Sequence, residues 1–285
     1  MAGEKKAPGN TSEKAEKPVI NQNKVQYFFR RVLFTVVLLF ATAAAGVISF
    51  IFILHFMTDS NDYRSARAEN DSLREIAVAT ENEIPLGSGE YTVVQLSALD
   101  TEMLRINPDY VCWISIDGTR VNHPVVRGHD NDTYISTSFY GEPNNLGALF
   151  IDYRNRRESV SNIIIYGHNS IQGEMFGDLH LLLNEQFFNE NHIITLTING
   201  STFEYEIFSV RLTDVYDPAY TIYFSSMHDF FEFAYEINAP VHATRILTLS
   251  TCVNEGSNDD RLIVQAYSLS NECIFGSPEI SSRYP

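Results

Sequence analysis

The chain has 285 residues, 44% of them hydrophobic, which is enough for one domain of moderate size with extensions or for two small domains. Its 20 basic and 36 acidic side chains give a formal net charge of −16 at pH 7, which argues against nucleic acid or anionic lipid as a partner. Three cysteines leave at least one free thiol, and the absence of a Cys-x-x-Cys pair excludes zinc-ribbon and thioredoxin motifs.

An apolar run near the N-terminus predicts a membrane anchor. Residues 32–54 are 23 consecutive positions without a charge, long enough to cross a hydrocarbon core of ~30 Å. The hydrophobic core of a signal peptide is shorter, about 7–15 residues, and the small residues 41–45 lie inside this run rather than at its end. We therefore predict an uncleaved transmembrane helix over residues 32–56.

The charges on either side of this run predict its orientation. Seven basic and three acidic residues precede it, with Arg30 and Arg31 at its boundary, whereas 13 basic and 33 acidic residues follow it. Basic residues favour the cytoplasmic side of a membrane. The sequence thus predicts a single-pass protein with a cytoplasmic basic tail over residues 1–31 and an extracellular remainder.

Two helices are predicted after the anchor. Residues 59–80 have helical composition, and five of their apolar residues recur at helical spacing: Tyr63, Ala66, Leu73, Ile76 and Ala77. The segment 85–89 contains proline and glycine and indicates a linker, so residues 57–90 form the predicted stalk. A second amphipathic helix is predicted over residues 96–106, ending at Asn107-Pro108.

The rest of the chain is predominantly β. Turn signals at Asp117-Gly118 and Asn199-Gly200 separate short apolar runs. Eight strands are predicted, over residues 111–116, 121–126, 148–151, 162–166, 193–198, 203–210, 246–251 and 262–267. Residues 176–188 and 225–238 are predicted to be helical. Many short strands with turns between them are typical of a barrel or a sandwich with helices laid on it.

The last two strands carry the first candidate site. Cys252 ends one strand, residues 253–260 form a polar loop, and Arg261 opens the next strand. If these strands pair as a hairpin, the thiol and the guanidinium face the same small volume, which suits a thiolate nucleophile beside a fixed positive charge. An inert buried cysteine and a salt bridge from Arg261 to a nearby carboxylate are the alternatives. Arginine stays protonated, so Arg261 can donate hydrogen bonds but cannot act as a base.

His168 is the second candidate. It follows the predicted strand 162–166 and Gly167, so its imidazole emerges at a strand end into a constrained turn. The alternative is an ordinary surface histidine, since the chain has eight. No His-Glu-x-x-His helix or glycine-rich phosphate loop occurs, and Asp130-Asn131-Asp132 lacks the glycine and glutamate of a calcium loop. We expect no metal and no cofactor.

Several blocks together resemble the sortases, which are membrane-anchored cysteine transpeptidases of Gram-positive bacteria. The shared blocks are Tyr166-Gly167-His168-Asn169, Met175-Phe176, the run from Thr248 to Cys252, and Arg261-Leu262-Ile263-Val264. Class B is indicated by the blocks 130–135 and 150–155 and by a helix inserted before the cysteine strand. The resemblance extends from about residue 90 to residue 270.

This resemblance implies a mainly β fold. Its core would be a closed eight-stranded barrel over residues 91–270, with N-terminal helices, the inserted helix and a single N-terminal transmembrane helix, and residues 271–285 would be a C-terminal tail. It also implies a catalytic triad of His168, Cys252 and Arg261. Cys112 is then interpreted as a core residue, and Cys273 has no assigned role.

The resemblance further implies the reaction. Cys252 would attack the carbonyl carbon of a threonine in the C-terminal sorting signal of a secreted surface protein, and a peptidoglycan-precursor amine would resolve the acyl-enzyme. The residues expected to line the groove for the signal are Asn131, Ile135, Ser250, Tyr220 and Ile222. Two alternatives stay open at this point: a pilin-polymerising sortase that uses a lysine amine, and a catalytically inactive, membrane-anchored binding module.

Overall fold

The computed structural model describes residues 22–81, 96–155, 161–170, 172–253 and 259–270. The predicted linker at residues 85–89, most of the basic tail, Cys273 and the predicted C-terminal tail lie outside the described residues. The chain divides into two compact units, residues 1–58 and residues 59–285.

The first unit contains a helix that is apolar enough to cross a membrane. Helix α1 runs from Gln22 to Glu81, and its segment Gln26–Leu54 spans 29 residues with a mean hydropathy of 2.6. At 1.5 Å per residue this segment is about 43 Å long, which exceeds the ~30 Å hydrocarbon core. None of the 18 most apolar consecutive residues of this segment is buried in protein. Its length and composition agree with the predicted anchor.

The C-terminal part of α1 belongs to the second unit and packs against the barrel there. Ala66 and Leu73 are each only 1% exposed, and the apolar stripe predicted for this helix is confirmed. Leu73 packs in one cluster with Met103 of helix α2 (Ala98–Ile106). Ser97 caps α2 by accepting a hydrogen bond from the backbone N–H of Asp100, so this helix begins two residues later than predicted.

Eight strands form a closed barrel in the order β1-β2-β3-β4-β7-β8-β6-β5. Their bounds are β1 Tyr110–Ile116, β2 Asn122–Val126, β3 Leu149–Ile151, β4 Asn162–Tyr166, β5 Ile193–Ile198, β6 Ser201–Asp214, β7 Ile246–Cys252 and β8 Asp260–Ser268. The pairs β2–β3 and β4–β7 are parallel, and the other pairs are antiparallel. The eight predicted strands and the closed barrel are confirmed.

Every second side chain of a strand points into the barrel interior and fills it. In β5 every second residue is buried, namely Ile194, Leu196 and Ile198, and all three lie in the central core. Leu247 and Leu249 of β7 enter the same core. Burying each such side chain stabilises the fold by about 1.5–3 kcal/mol, so the interior accounts for much of the free energy that closes the barrel.

The long connection between β6 and β7 covers the outer face of two strands. It contains a 3-10 turn, Pro218–Tyr220, and helix α4, Met227–Glu236. Phe230 and Phe233 of α4 pack in one buried cluster with Ile246 of β7 and Tyr267 of β8. The helix predicted before the cysteine strand is therefore present and lies against the barrel.

The helix predicted over residues 176–188 is divided in two. A 3-10 helix, Gly177–Leu183, is followed by helix α3, Glu185–Glu190. Asn184 separates them because its backbone is extended and its side chain accepts a hydrogen bond from the N–H of Phe187, which caps α3. A capping residue inside an apolar run starts a new helix there.

Candidate active site

The ends of β7 and β8 bring a thiol and a guanidinium together. Cys252 and Arg261 are Cα partners in the antiparallel ladder, so the predicted hairpin is confirmed. Cys252 is exposed, whereas Arg261 is partly buried. One guanidinium nitrogen of Arg261 donates to the carbonyl of Asp260 at 2.9 Å, which fixes the side chain at the strand mouth.

His168 reaches the same rim because β4 runs parallel to β7. Tyr166 and Ser250 are Cα partners, and the N–H of Gly167 donates to the carbonyl of Ser250 at 3.2 Å. Glycine at position 167 leaves room for the side chains of Leu149 and Phe176, which a Cβ there would overlap. The parallel pairing therefore delivers His168 to the strand end that carries Cys252.

The hydrogen bond of His168 identifies which ring nitrogen carries a proton. Its Nε2 lies 2.7 Å from the carbonyl oxygen of Ile135. A carbonyl can only accept, so Nε2 must be the donor. In the neutral ring, Nδ1 is then the unprotonated nitrogen, and it is the one able to exchange a proton with a bound substrate.

The loop after His168 is tied to the N-terminal helix. Phe176 donates from its backbone N–H to the carbonyl of His168 at 3.0 Å, and Met175 next to it adopts a positive φ of 54°. Glu174 is buried and lies 3.4 Å from the guanidinium of Arg74 in α1. This ion pair joins α1 to the loop that carries the imidazole, and no local pattern in the sequence predicts a pairing across 100 residues.

One cleft collects these side chains. It has a volume of about 230 Å³ and is lined by Asn131, Ile135, Phe150, Tyr166, Gly167, His168, Ser250, Thr251, Cys252 and Arg261. The three expected catalytic residues and three of the five expected groove residues are among them. Phe150, Tyr166, Gly167 and Thr251 were not expected there, although all four lie in the blocks that resemble the family.

The other two expected groove residues lie behind this lining. The hydroxyl of Tyr220 is 2.8 Å from the Ser250 hydroxyl, and its ring stacks on Tyr166 with centroids 6.5 Å apart. Burial raises the pKa of Tyr220, so its phenol is neutral and keeps its proton for hydrogen bonding. Ile222, in the β6–β7 connection, is only 2% exposed and does not line the cleft.

Asn131 is oriented by a turn. The backbone N–H groups of Asp132 and Thr133 donate to the same carboxylate oxygen of Asp130, at 2.9 and 2.8 Å respectively. The acidic block is thus an Asx-type turn. Asn131 in turn accepts a hydrogen bond from the N–H of Tyr153 at 2.9 Å, which joins it to the segment after β3.

A buried carboxylate next to the cleft was missed by the sequence analysis. Asp152 is fully buried and accepts from Arg154 at 2.7 Å and from the Tyr166 hydroxyl at 2.9 Å. Burial acts to raise the pKa of Asp152, but the hydrogen bonds and charge of Arg154 outweigh it and the pKa is lowered. Burial, together with this carboxylate, raises the pKa of Tyr166, so its phenol remains a donor.

The remaining described cysteine is inert. Cys112 is 1% exposed in the barrel core, and burial raises the pKa of its thiol well above the usual range. A thiol that stays protonated is a poor nucleophile. The interpretation of Cys112 as a core residue is confirmed, and among the described residues Cys252 is the exposed thiol.

Comparisons with known proteins agree with this fold and this cleft. The sortase domain model matches residues 114–269. A sortase B of Staphylococcus aureus is 32% identical over 170 residues, covering 56% of this chain and 70% of that protein. The chain belongs to class B of the sortase family.

Solved sortase B structures agree with this assignment. The structure from Clostridium perfringens is 34% identical, with a TM-score of 0.56, and the match covers 60% of this chain and all of that one. The structure from Bacillus anthracis is 29% identical, with a TM-score of 0.62, over 74% of this chain and 99% of that one. Sortases are cysteine transpeptidases, so this sortase chain belongs to a family whose chemistry needs an accessible thiol.

Proposed function

We propose that this sortase cleaves the C-terminal sorting signal of secreted surface proteins after threonine and joins the threonine to a peptidoglycan-precursor amine. The observation that carries the proposal is the meeting of Cys252, His168 and Arg261 in one cleft, although they come from three different strand ends. In this proposal they are the nucleophile, the acid–base group and the oxyanion-stabilising group.

In the first step the thiolate of Cys252 attacks the threonine carbonyl carbon. The tetrahedral intermediate then collapses with cleavage of the C–N bond to the next residue, which leaves a thioester on Cys252. The departing amine takes a proton from His168. The exposed position of Cys252 supports this role, because a peptide carbonyl has to approach the sulfur directly.

Arg261 supplies positive charge where the oxyanion develops. Its position opposite Cys252 in the β7–β8 ladder supports this role. A guanidinium already held by the carbonyl of Asp260 needs little reorganisation during the reaction, which is the condition under which such groups lower a barrier most. Lysine at this position would lack the planar set of donors.

His168 acts through Nδ1 in this proposal. In this proposal His168 starts as the imidazolium beside the Cys252 thiolate, with both ring nitrogens protonated. The bond from Nε2 to the Ile135 carbonyl holds the ring, and Nδ1 gives its proton to the departing amine. In the second step the acceptor amine attacks the thioester, Nδ1 takes its proton, and the thiolate of Cys252 is released. The protonation states at the end equal those at the start, so the cycle needs no cofactor.

The groove beside the nucleophile is proposed to hold the sorting signal. Asn131, Ile135 and Ser250 are on its surface, and Tyr220 supports Ser250 from behind. The buried Ile222 would act only by supporting the Tyr220 segment. The cleft combines apolar walls with a few polar groups, as peptide sites generally do.

The N-terminal helix supports a location at the cell membrane. We propose a cytoplasmic N-terminus and an extracellular catalytic domain, following the excess of basic residues before the apolar segment. An enzyme anchored in this way meets secreted substrates that are still held in the membrane and a lipid-linked acceptor. Confinement to one surface raises the effective concentrations, so weak intrinsic affinity is sufficient.

The test uses the full chain in detergent with a library of sorting-signal peptides and two amines, a peptidoglycan stem peptide and a lysine-containing peptide. We expect cleavage after threonine and a stem-peptide product, with both abolished in Cys252→Ala and retained in Cys112→Ala. A lysine isopeptide product would instead support a pilin polymerase. Turnover that persists in Cys252→Ala would refute the proposed mechanism.

A further inference from the structure

Three polar side chains lie fully buried on the outer face of the barrel, beneath the β6–β7 connection. Asn162 of β4, Thr248 of β7 and Gln265 of β8 are each 0% exposed. Thr248 and Gln265 are Cα partners in the β7–β8 ladder. We call Asn162, Thr248 and Gln265 the polar row. The residues that alternate with them along these strands point into the apolar interior.

The polar row is joined by hydrogen bonds that end on the 3-10 turn Pro218–Tyr220 and the residue after it. Gln265 donates to the Thr248 hydroxyl at 3.3 Å, and Thr248 donates to the side-chain oxygen of Asn162 at 3.0 Å. The amide nitrogen of Asn162 then donates to the carbonyls of Ala219 and Thr221, both at 2.8 Å. The two carbonyls that flank Tyr220 are therefore held by one buried side chain.

The other end of the polar row returns to the same turn. Arg211 of β6 donates to the side-chain oxygen of Gln265 and to the carboxylate of Asp217, each at 2.7 Å. The same carboxylate oxygen of Asp217 accepts from the N–H of Ala219 at 2.8 Å. The turn is thus bound on both sides by a continuous path of hydrogen bonds across β4, β7, β8 and β6.

Packing alone does not account for this path. A buried polar group destabilises a fold unless it is hydrogen-bonded, and an apolar residue of similar volume fills space at least as well. Every member of the polar row is bonded, and buried polar networks that are fully satisfied fix one geometry where apolar packing tolerates several. What this network fixes is the backbone on both sides of Tyr220.

We propose that the polar row and Arg211 are positioning residues that set Tyr220 against the cleft and so determine how well the donor peptide binds. The hydroxyl of Tyr220 bonds to that of Ser250, which lines the cleft two residues before Cys252. None of the polar row lines the cleft. The proposal rests on the proposed function only in taking the donor as a sorting-signal peptide.

The test breaks the middle of the path without changing the shape of the side chain. Thr248→Val removes the hydroxyl at nearly constant volume, and Thr248→Ser keeps it as the matched control. In the full chain in detergent we expect Thr248→Val to raise KM for the donor peptide about tenfold, or about 1.4 kcal/mol of binding, with kcat within about twofold. Thr248→Ser should stay near the wild type.

Two further measurements separate positioning from a general loss of structure. Backbone hydrogen exchange over residues 219–221 should rise about fivefold in Thr248→Val, because local opening of the turn becomes easier. The alkylation rate of Cys252 by a small haloacetamide should not change. Tyr267→Phe is the control on β8, since it removes a bond to Glu206 without touching the turn, and it should leave both the exchange of the turn and KM unaltered.

Asn162→Leu is the second variant, because it removes both bonds to the turn and should raise KM and exchange further than Thr248→Val. Unchanged exchange over residues 219–221 in both variants overturns the proposal. Faster exchange with an unchanged KM also overturns it, since the turn would then not influence donor binding. A wild-type chain that cleaves no donor overturns the proposed function instead, and the exchange data then still decide whether the polar row holds the turn.

Discussion

The side-chain amide of Asn169 donates to the backbone carbonyl of Cys252 at 2.8 Å. This bond joins the residue after the imidazole to the residue that bears the thiol, although the two are 83 positions apart. It therefore holds the ends of β4 and β7 in register at the point where the proposed nucleophile and acid–base group have to meet.

We expect Asn169→Ala to reduce kcat by about tenfold while leaving KM nearly unchanged, because a small displacement of His168 relative to Cys252 weakens proton transfer more than peptide binding. Steady-state kinetics with a donor peptide measure both constants. Gln186→Ala removes an exposed amide of α3 that does not line the cleft, and it should leave kcat unaltered. A kcat equal to the wild type in Asn169→Ala would show that the bond has no positioning role.

The hydroxyl of Thr251 makes the second prediction. Thr251 is 2% exposed, lines the cleft beside Cys252, and its hydroxyl has no hydrogen-bond partner within the part of the chain that the structure describes. A buried hydroxyl without a partner destabilises the folded chain, whereas a methyl group of the same shape does not. Thr251→Val should therefore leave the melting temperature equal or higher.

Thr251→Ser keeps the unpaired hydroxyl and loses a methyl group, so it should not gain stability. Thermal unfolding of the wild type and the two variants measures the difference. A melting temperature of Thr251→Val clearly below that of the wild type would contradict the prediction.

The candidate site was predictable where its geometry is local. Cys252 and Arg261 are nine residues apart on adjacent antiparallel strands, so alternation and one polar loop were enough to place them opposite each other. His168 needed the resemblance to the family, because its place follows from the parallel pairing of β4 with β7, and a pairing across 84 residues leaves no mark in local periodicity.

The residues that support the site were not predictable for a different reason. Asn162, Thr248 and Gln265 appear in the sequence as polar interruptions of apolar strands, which normally indicate a solvent-facing side. They are buried only because the β6–β7 connection covers the outer face of these strands. Likewise, Asp152 acquires its role from Arg154 and Tyr166, and which partners a carboxylate meets depends on tertiary structure.

Asp152 provides the third prediction. Its carboxylate is fully buried and holds both Arg154 and the hydroxyl of Tyr166 beside the cleft. Asp152→Asn removes the charge that pairs with Arg154, and loss of one member of a buried pair destabilises proteins by up to about 3–5 kcal/mol. Because the Arg154 side chain is 39% exposed, solvent screens the loss, and we expect about 1–2 kcal/mol.

The same variant should raise KM for the donor peptide, since Tyr166 lines the cleft and supports the ring of Tyr220. Tyr166→Phe keeps the ring and removes only the bond to Asp152, so it should lose less stability and less affinity than Asp152→Asn. Thermal unfolding and steady-state kinetics test both variants. If Tyr166→Phe lost more stability and more affinity than Asp152→Asn, a carboxylate that holds both Arg154 and Tyr166 would not explain the result.

The fourth prediction concerns the loss of stability at low pH. His123 is 1% exposed, and burial, with the nearby charge of Arg74, lowers its pKa to about 3. The unfolded chain protonates this residue below about pH 6.5, whereas the folded chain keeps it neutral down to about pH 3. Between these values the unfolded state binds more protons, so the stability of the folded state falls as the pH falls.

Removing the imidazole should therefore make the domain less sensitive to acid. His123→Gln has no titratable group, and between pH 7 and pH 5 it should lose about 1–2 kcal/mol less stability than the wild type. For a domain of this size the difference amounts to about 2–8 °C in melting temperature. His228→Gln is the control, because the side chain of His228 is 79% exposed and its contact with Glu232 is equally open to solvent, so the substitution should change stability little. Parallel profiles for wild type and His123→Gln would mean that the folded state protonates His123 as readily as the unfolded chain does.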